Sequence, residues 1–275
     1  MIARFARLFT TALLVGLAIA LIAFALSDWT LSDAEAYWNA AMRLRAGEPL
    51  YPAVDDVNAS TVYRYAPWFA FAAIPLTYLP VQAAGALWSV ALVAASCIAV
   101  VPLVRARRLA LALFFGAVLI GIAAIGNAQP LIVAALVHGI ERRSGPLWIA
   151  MTASLKVVPL AFALVYLGRR QWVRFGATVV LTLLFTAPML AFDLSNYVTD
   201  PSDAALLFQW PPLWVGALVA GTIVTLWAAA TPFGLLAAAS TAALALPRFF
   251  VYDISFLLPA ASGPAPRGPA VRTQR

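Results

Sequence analysis

The chain is poor in the residues from which most soluble active sites are built. It has one cysteine, Cys97, and one histidine, His138, which excludes an intramolecular disulfide, a cysteine cluster and a multi-histidine metal site. Charged residues make up only 11% of 275 positions. No glycine-rich phosphate loop, nucleotide fingerprint or zinc motif is present, so a soluble nucleotide donor has no visible site and no cofactor or metal is expected. What fills the sequence instead is apolar. Hydrophobic residues reach 64%, there are nine tryptophans, and mean hydropathy is +0.91. Apolar runs of about 20 residues recur, the length of a membrane-spanning helix. This composition predicts an all-α fold, a polytopic membrane helical bundle with no separate soluble domain. The net charge of +7 is the excess that cytoplasmic loops carry and gives no reason to expect nucleic acid.

The first apolar run, Leu8 to Ser27, follows Arg4 and Arg7 and reads as an uncleaved signal-anchor with its start in the cytoplasm. Residues 28–80 then form an external loop in which carboxylates gather. Within it Ser32 opens an amphipathic helix suited to a bilayer surface, and the apolar stretch Trp68 to Leu79 is too short to span, so it is read as a re-entrant or surface helix. Nine further apolar helices are expected: Val81 to Val104, Leu109 to Ile125, Ala128 to Ile140, Leu147 to Leu155, Val157 to Leu167, Trp172 to Phe192, Leu213 to Ala229, Phe233 to Leu246, and Phe249 to Ala261. With the first run this makes about ten transmembrane segments in a single domain, 1–262, followed by a disordered cytoplasmic tail, 263–275. Several are shorter than a bilayer, which is tolerated where they line a protein-enclosed cavity. The threading puts Arg105, Arg107 and Arg108, Arg142 and Arg143, Arg169, Arg170 and Arg174, and the tail arginines on the cytoplasmic side. It puts Asp33, Glu35, Arg64, Asn127, Lys156, Arg248 and Asp253 at or near the external face.

Lys156 interrupts an otherwise uncharged run, and an ionisable residue within a membrane is a functional candidate; the competing reading is a lysine snorkelling from a short helix. Arg248, between Pro247 and Phe249, invites the same argument, and the two together would clamp a phosphate. Asp33 and Glu35 are two residues apart, so on a helix they do not share a face. Asp33 is the candidate general base and Glu35 a solvated or substrate-facing acid; the local alternative is that Asp33 merely caps its helix. The aromatics Trp38, Tyr51, Tyr63, Tyr65, Trp68, Trp210 and Trp214 fall near the same face, where an interfacial belt accounts for most of them. Aromatic faces are also what sugar rings pack against.

Taken in order, these elements resemble glycosyltransferase family 87, a class C (GT-C) group that includes polyprenyl-phosphate-mannose-dependent mannosyltransferases. The resemblance is carried by Asp33-x-x-x-Tyr37, Ala46-Gly-Glu-Pro-Leu-Tyr51, Tyr63-Arg-Tyr-Ala-Pro67 with Ile74-Pro-Leu-x-x-Leu-Pro80, Gly126-Asn127, Lys156-Val-Val-Pro159, and Pro247-Arg-Phe-Phe-Val-Tyr-Asp253. Ala66 stands where the family has a second proline, and the last motif lacks a histidine. The resemblance implies an integral membrane enzyme of the cytoplasmic (inner) membrane with its active site on the extracytoplasmic face. Its donor would be a polyprenyl-phosphate sugar, most simply mannose, and its acceptor a lipid-linked or envelope glycan. It implies Asp33 as base, Lys156, Arg248 and Arg64 on the donor phosphate, and Glu35, Tyr37, Tyr65, Asn127, Tyr252 and Asp253 as substrate contacts. A carrier for lipid-linked sugars and a non-catalytic member of the family are the rival readings.

Overall fold

The computed structural model describes residues 8–17, 19–20, 31–56, 59–198, 205–246, 248 and 250–263. The basic start at Arg4 and Arg7, the end of the first apolar run, Pro247, Phe249 and the tail from residue 264 lie outside these. Among the described residues every regular element is helical: α1 (Leu8–Leu17), α2 (Ser32–Ala46), α3 (Pro67–Ala73), α4 (Val81–Arg105), α5 (Leu109–Ala124), α6 (Gln129–Gly139), α7 (Gly145–Leu155), α8 (Ala163–Gly168), α9 (Trp172–Thr186), α10 (Leu206–Gln209), α11 (Pro211–Ala228), α12 (Gly234–Ala245) and α13 (Leu258–Ala261). Four 3₁₀ stretches, Ile74–Tyr78, Val158–Phe162, Ala187–Ala191 and Val251–Leu257, continue or introduce α-helices.

Prolines account for several of these tight stretches. Pro159 and Pro188 stand at the first positions of theirs, where a missing N–H costs nothing but a regular α-helix arriving from upstream is interrupted. The helix expected from Trp172 to Phe192 therefore closes its last turn as 3₁₀, and the one expected from Val157 opens as 3₁₀.

Among the described residues three helical stretches are long and apolar enough to cross a membrane: Val81–Arg105, Trp172–Ala191 and Pro211–Ala228. Of the shorter apolar helices, α6, α7, α8 and α12 pack within the protein. Ile132 and Leu136 of α6, Ile140 directly after it, Ile149 of α7, Val158 and Phe162, Tyr166 of α8, three alanines of α12 and Phe256 form one buried core. A second core joins α4, α5 and α6 through Ala99, Leu103, Phe115, Leu119 and Val133. The long helices α9 and α11 lie outside it, burying only Thr178 in α9 and Thr225 and Ala228 in α11. Val173, Leu183 and Leu184 on α9 and Val219, Ile223 and Trp227 on α11 are exposed, a broad apolar surface of the kind a bilayer covers. The short α6, α7 and α12 are thus enclosed by protein while α9 and α11 present their length outward, a placement that short helices tolerate where protein covers them.

Among the described residues, no helix between Ser32 and Tyr78 is long and apolar enough to cross a membrane. α2 ends at Gly47, whose φ of 70° is the left-handed cap that glycine adopts without a Cβ penalty. α3 and its 3₁₀ extension lie against α2, and Arg45 near the end of α2 donates to Thr77 Oγ1 over 2.7 Å. Ala34, Ala36, Tyr37, Ala40 and Ala41 are the buried positions of α2.

Candidate functional site

The site begins where α5 stops. An α-helix leaves donors unpaired at its start and acceptors unpaired at its end. Here the two deficits meet: the N–H of Leu31 donates to the Ala124 carbonyl over 3.4 Å and that of Asp33 to the Ile125 carbonyl over 2.9 Å. α2 needs no side-chain cap and has none; its N-cap position is Leu31, in a left-handed conformation with φ 56°. The capping role weighed for Asp33 is thereby filled by α5, and the Asp33 side chain is left for other work.

Directly after α5, Gly126 turns the chain with φ +79°, and a Cβ there would lie 2.7 Å from the backbone nitrogen of Ala34. That close approach brings Asn127 to Asp33, and Asn127 Nδ2 donates to Asp33 Oδ2 over 2.6 Å. The other end of the amide, Oδ1, accepts the N–H of Gln129 over 2.8 Å, so both ends of the Asn127 side chain are committed. Burial raises the Asp33 pKa above its ordinary value, opposed by the Asn127 hydrogen bond and by the charges of Arg64 and Lys156. Desolvated, hydrogen-bonded on one oxygen and set among cations, this carboxylate has the environment of a tuned base.

An aromatic wall stands beside it. The Tyr37 hydroxyl accepts the Ala128 N–H and donates to the Tyr65 hydroxyl, both over 3.2 Å. The Tyr37 ring meets Tyr65, Phe69 and Trp88 edge to face at centroid distances of 5.3, 5.0 and 5.8 Å. Trp88 in turn donates from Nε1 to the Gly126 carbonyl over 2.7 Å, fixing the turn that carries Asn127. Burial, then Tyr65 and Asp33, hold the Tyr37 hydroxyl protonated well above its ordinary range. Tyr51 and Tyr63 continue the wall, stacked at 6.0 Å, with hydroxyls donating to the carbonyls of Tyr65 and Ala66. Both are buried, so these two tyrosines are core, a correction to their reading as part of an interfacial belt. Trp210, by contrast, is exposed.

The cations come from three separate parts of the chain. Arg64 donates to the Val62 carbonyl over 3.2 Å, and its pKa is lowered by burial first and by the neighbouring Arg248 charge second. Lys156, the only lysine in the chain, follows α7 and forms an ion pair with Asp253, whose carboxylate is wholly buried. The Lys156 ammonium also lies over the rings of Tyr252 and Phe256 at 5.2 and 5.5 Å. Asp253 Oδ2 also accepts the Phe250 N–H over 3.0 Å, and through the pair with Lys156 the 3₁₀ stretch 251–257 is tied to the end of α7. Lys156 therefore meets an acid of the protein itself, a partner beyond the phosphate-binding and snorkelling roles expected from the sequence.

Asp33, Tyr37, Arg64, Tyr65, Asn127, Lys156, Arg248, Tyr252 and Asp253 thus gather at one end of the fold. Glu35 does not join them: it is exposed and lines a groove on another side of α2. Three participants lacked a signal in the sequence. Trp88 sits inside a long apolar helix, while Gln129 and Ser255, fully buried and hydrogen-bonded at 3.1 Å, join the start of α6 to the 251–257 stretch. The turn Glu141–Arg143, between α6 and α7, lies at the far end of those helices from Asn127 and Lys156. There Arg169 pairs with Glu141 at 2.9 Å and Arg174 donates to the Arg142 carbonyl at 2.6 Å. No family model matches the chain, and no curated protein or solved structure matches it at a significant level.

Proposed function

We propose that this protein is an inverting membrane glycosyltransferase of GT-C type that moves a sugar, most simply mannose, from a polyprenyl-phosphate donor to a lipid-linked or envelope glycan. In this reading about ten helices cross the cytoplasmic membrane, the arginine clusters face the cytoplasm, and Asp33 faces outward. The observation that carries it is the desolvated Asp33 carboxylate, held on Oδ2 by Asn127 and flanked by Arg64 and Lys156. Among the described residues Oδ1 accepts no hydrogen bond, so its lone pairs remain for an acceptor hydroxyl.

Asp33 Oδ1 takes the hydroxyl proton as the acceptor oxygen forms its bond to the anomeric carbon from the face opposite the phosphate. The bond from that carbon to the phosphate oxygen breaks, and the electron pair leaves with the polyprenyl phosphate, inverting the centre. Negative charge grows on the leaving phosphate, where Arg64, Arg248 and Lys156 stabilise it more strongly in a water-poor site than in bulk solvent. Three cations face two carboxylates, Asp33 and Asp253, which leaves one net positive charge for the single negative charge of a phosphodiester. The protonated Tyr37 and Tyr65 hydroxyls offer further hydrogen bonds to sugar or phosphate.

The test is sugar transfer by purified protein from radiolabelled polyprenyl-phosphate-mannose to a membrane lipid extract. Wild type should form labelled lipid while Asp33→Asn loses turnover and keeps donor binding. Equal transfer by both would remove Asp33 from the mechanism. The Lys156–Asp253 pair favours a second reading, a lipid-linked-sugar carrier in which the substrate phosphate competes with Asp253 for Lys156. A carrier would move its substrate across a vesicle membrane and tolerate Asp33→Asn.

A further inference from the structure

A groove of about 420 Å³ runs along the side of α2 away from Asn127. Glu35, Asn39 and Arg43 line it from α2, spaced at four-residue intervals and therefore one stripe of the helix. Asp55 and Thr61 face them from the following loop, and Asn196 closes it from the turn after α9. Its floor is rigid: Tyr51 and Tyr63 are stacked there, and Tyr51 meets Tyr197 edge to face at 5.1 Å. Tyr197 donates to the Arg64 carbonyl over 2.9 Å, which ties the Asn196 turn to the segment that carries Arg64.

The groove and the charged site share two walls. Asp33 belongs to the site, and Glu35, two residues on, lines the groove. Val62 and Tyr63 line the groove, and the next residue, Arg64, belongs to the site. Their charges are opposite. Glu35, Asp55 and Asp56 against Arg43 leave the groove with two net negative charges in a chain whose overall charge is +7. The carboxylates are spread along it and do not converge; among the described residues no trio of acidic, histidine or cysteine side chains could hold a metal ion. Carboxylates, two amides, a hydroxyl and a guanidinium along one cleft are donors and acceptors suited to vicinal diols. The volume lies within the range of ligand clefts, about 300–1,000 Å³.

We infer that this groove binds an uncharged, polyhydroxylated segment of the acceptor, the glycan beyond the sugar that reacts, and repels phosphate-bearing ligands. The inference rests on the transferase reading for the word acceptor, although the groove's selectivity for neutral sugar over sugar phosphate is a property of its own. α2 then sorts the two substrates by charge: the anionic donor goes to the Arg64, Arg248 and Lys156 side, the neutral glycan to the Glu35 and Asp55 side. Binding energy realised here holds the reacting hydroxyl against Asp33 without touching it.

The experiment measures saturation-transfer NMR titrations of full-length protein in detergent with mannotriose and with mannotriose 6-phosphate. Mannotriose should bind, with the phosphorylated form about tenfold weaker, the factor expected for one uncompensated charge contact. Glu35→Gln with Asp55→Asn, both exposed positions, should weaken mannotriose about tenfold and narrow the difference between the two ligands. Glu141→Gln, in the exposed pair at the far end of α6 and α7, should leave mannotriose binding unchanged. Absent mannotriose binding, equal affinity for both ligands, or unaltered binding by the double variant would overturn the inference. The transfer assay separates the two ideas: groove binding without transfer by wild type sinks the transferase and spares the groove. Transfer in which the double variant shows an unchanged KM for trisaccharide and monosaccharide acceptors sinks the groove and spares the transferase.

Discussion

Replacing Asn127 by alanine removes the amide that donates to Asp33 Oδ2 over 2.6 Å. A hydrogen bond to an ionised group contributes about 1.5–3 kcal/mol, against about 0.5–1.5 kcal/mol for a neutral one. A double-mutant cycle of Asn127→Ala with Asp33→Ala, read from denaturant unfolding in detergent by tryptophan fluorescence, should therefore give a coupling of about 1.5–3 kcal/mol at pH 7. In acid, once Asp33 is protonated, the coupling should fall to about 1 kcal/mol or less. The pH dependence has a definite sign. Burial raises the folded-state pKa of Asp33 above its ordinary 3.8, so the folded protein holds this proton more readily than the unfolded chain. Wild-type stability from this group therefore declines as pH rises from 3.8 through the folded value, and the loss persists at neutral pH. Asn127 lowers that folded value, so its removal deepens the loss and extends it to higher pH, whereas Asp33→Ala abolishes the dependence. A coupling near zero at pH 7, or one unchanged by acid, would refute the account of Asp33 as a half-buried, ionisable carboxylate held by Asn127.

Gly126→Ala should destabilise by about 1–2 kcal/mol through its left-handed backbone and by a further ~1–3 kcal/mol through its collision with Ala34, seen as a lowered unfolding midpoint. Lys156→Met strands a wholly buried Asp253 and should cost about 3–5 kcal/mol, while the double variant Lys156→Met with Asp253→Asn recovers most of that; equal losses in both would show that the pair is not coupled. Glu141→Gln, by contrast, breaks an exposed pair and should change stability by less than ~1 kcal/mol in the same assay. Trp88→Phe keeps the ring packing but removes the donor to the Gly126 carbonyl, and a cost of about 1 kcal/mol is expected in unfolding titrations.

The helices were legible because their ends are written in local chemistry. Val81 after Pro80, the basic turn at Arg105 and Trp172 after two arginines mark boundaries that the fold reproduces within a residue or two. The opposite orientations of Asp33 and Glu35 were likewise legible, since two residues is half a turn of helix and no more information is needed. The Asp33–Asn127 contact was not, because it joins positions 94 apart and depends on Gly126 permitting the Ala34 backbone to approach. Nor was the fate of the tyrosines: amphipathic rings suit a membrane interface and a buried hydrogen-bonded core equally, and Tyr51 and Tyr63 chose the second. Lys156 announced that it needed an anion, but nothing in its neighbourhood pointed to Asp253, 97 positions away.

That pairing bears on what the charged end of the fold can bind. A lone ammonium beside apolar helices would be expected to shed its proton or seek water. Asp253, wholly buried and also accepting the Phe250 N–H, is a fixed counter-charge, so Lys156 is kept in place by the pair. The pair is neutral as a unit, and the anion attraction of the site then rests on Arg64 and Arg248 against Asp33, a balance of one positive charge. A ligand carrying one negative charge neutralises that balance, while one carrying two leaves an uncompensated charge in a site with little water, which is costly. In the proposed reaction the donor is the singly charged species and the released phosphate can carry two. Because Asp33 has by then taken the acceptor proton, site and product stay balanced at first. Once Asp33 gives that proton up, the second phosphate charge is uncompensated, and the balance that suits the donor favours the product's departure without any movement of the helices.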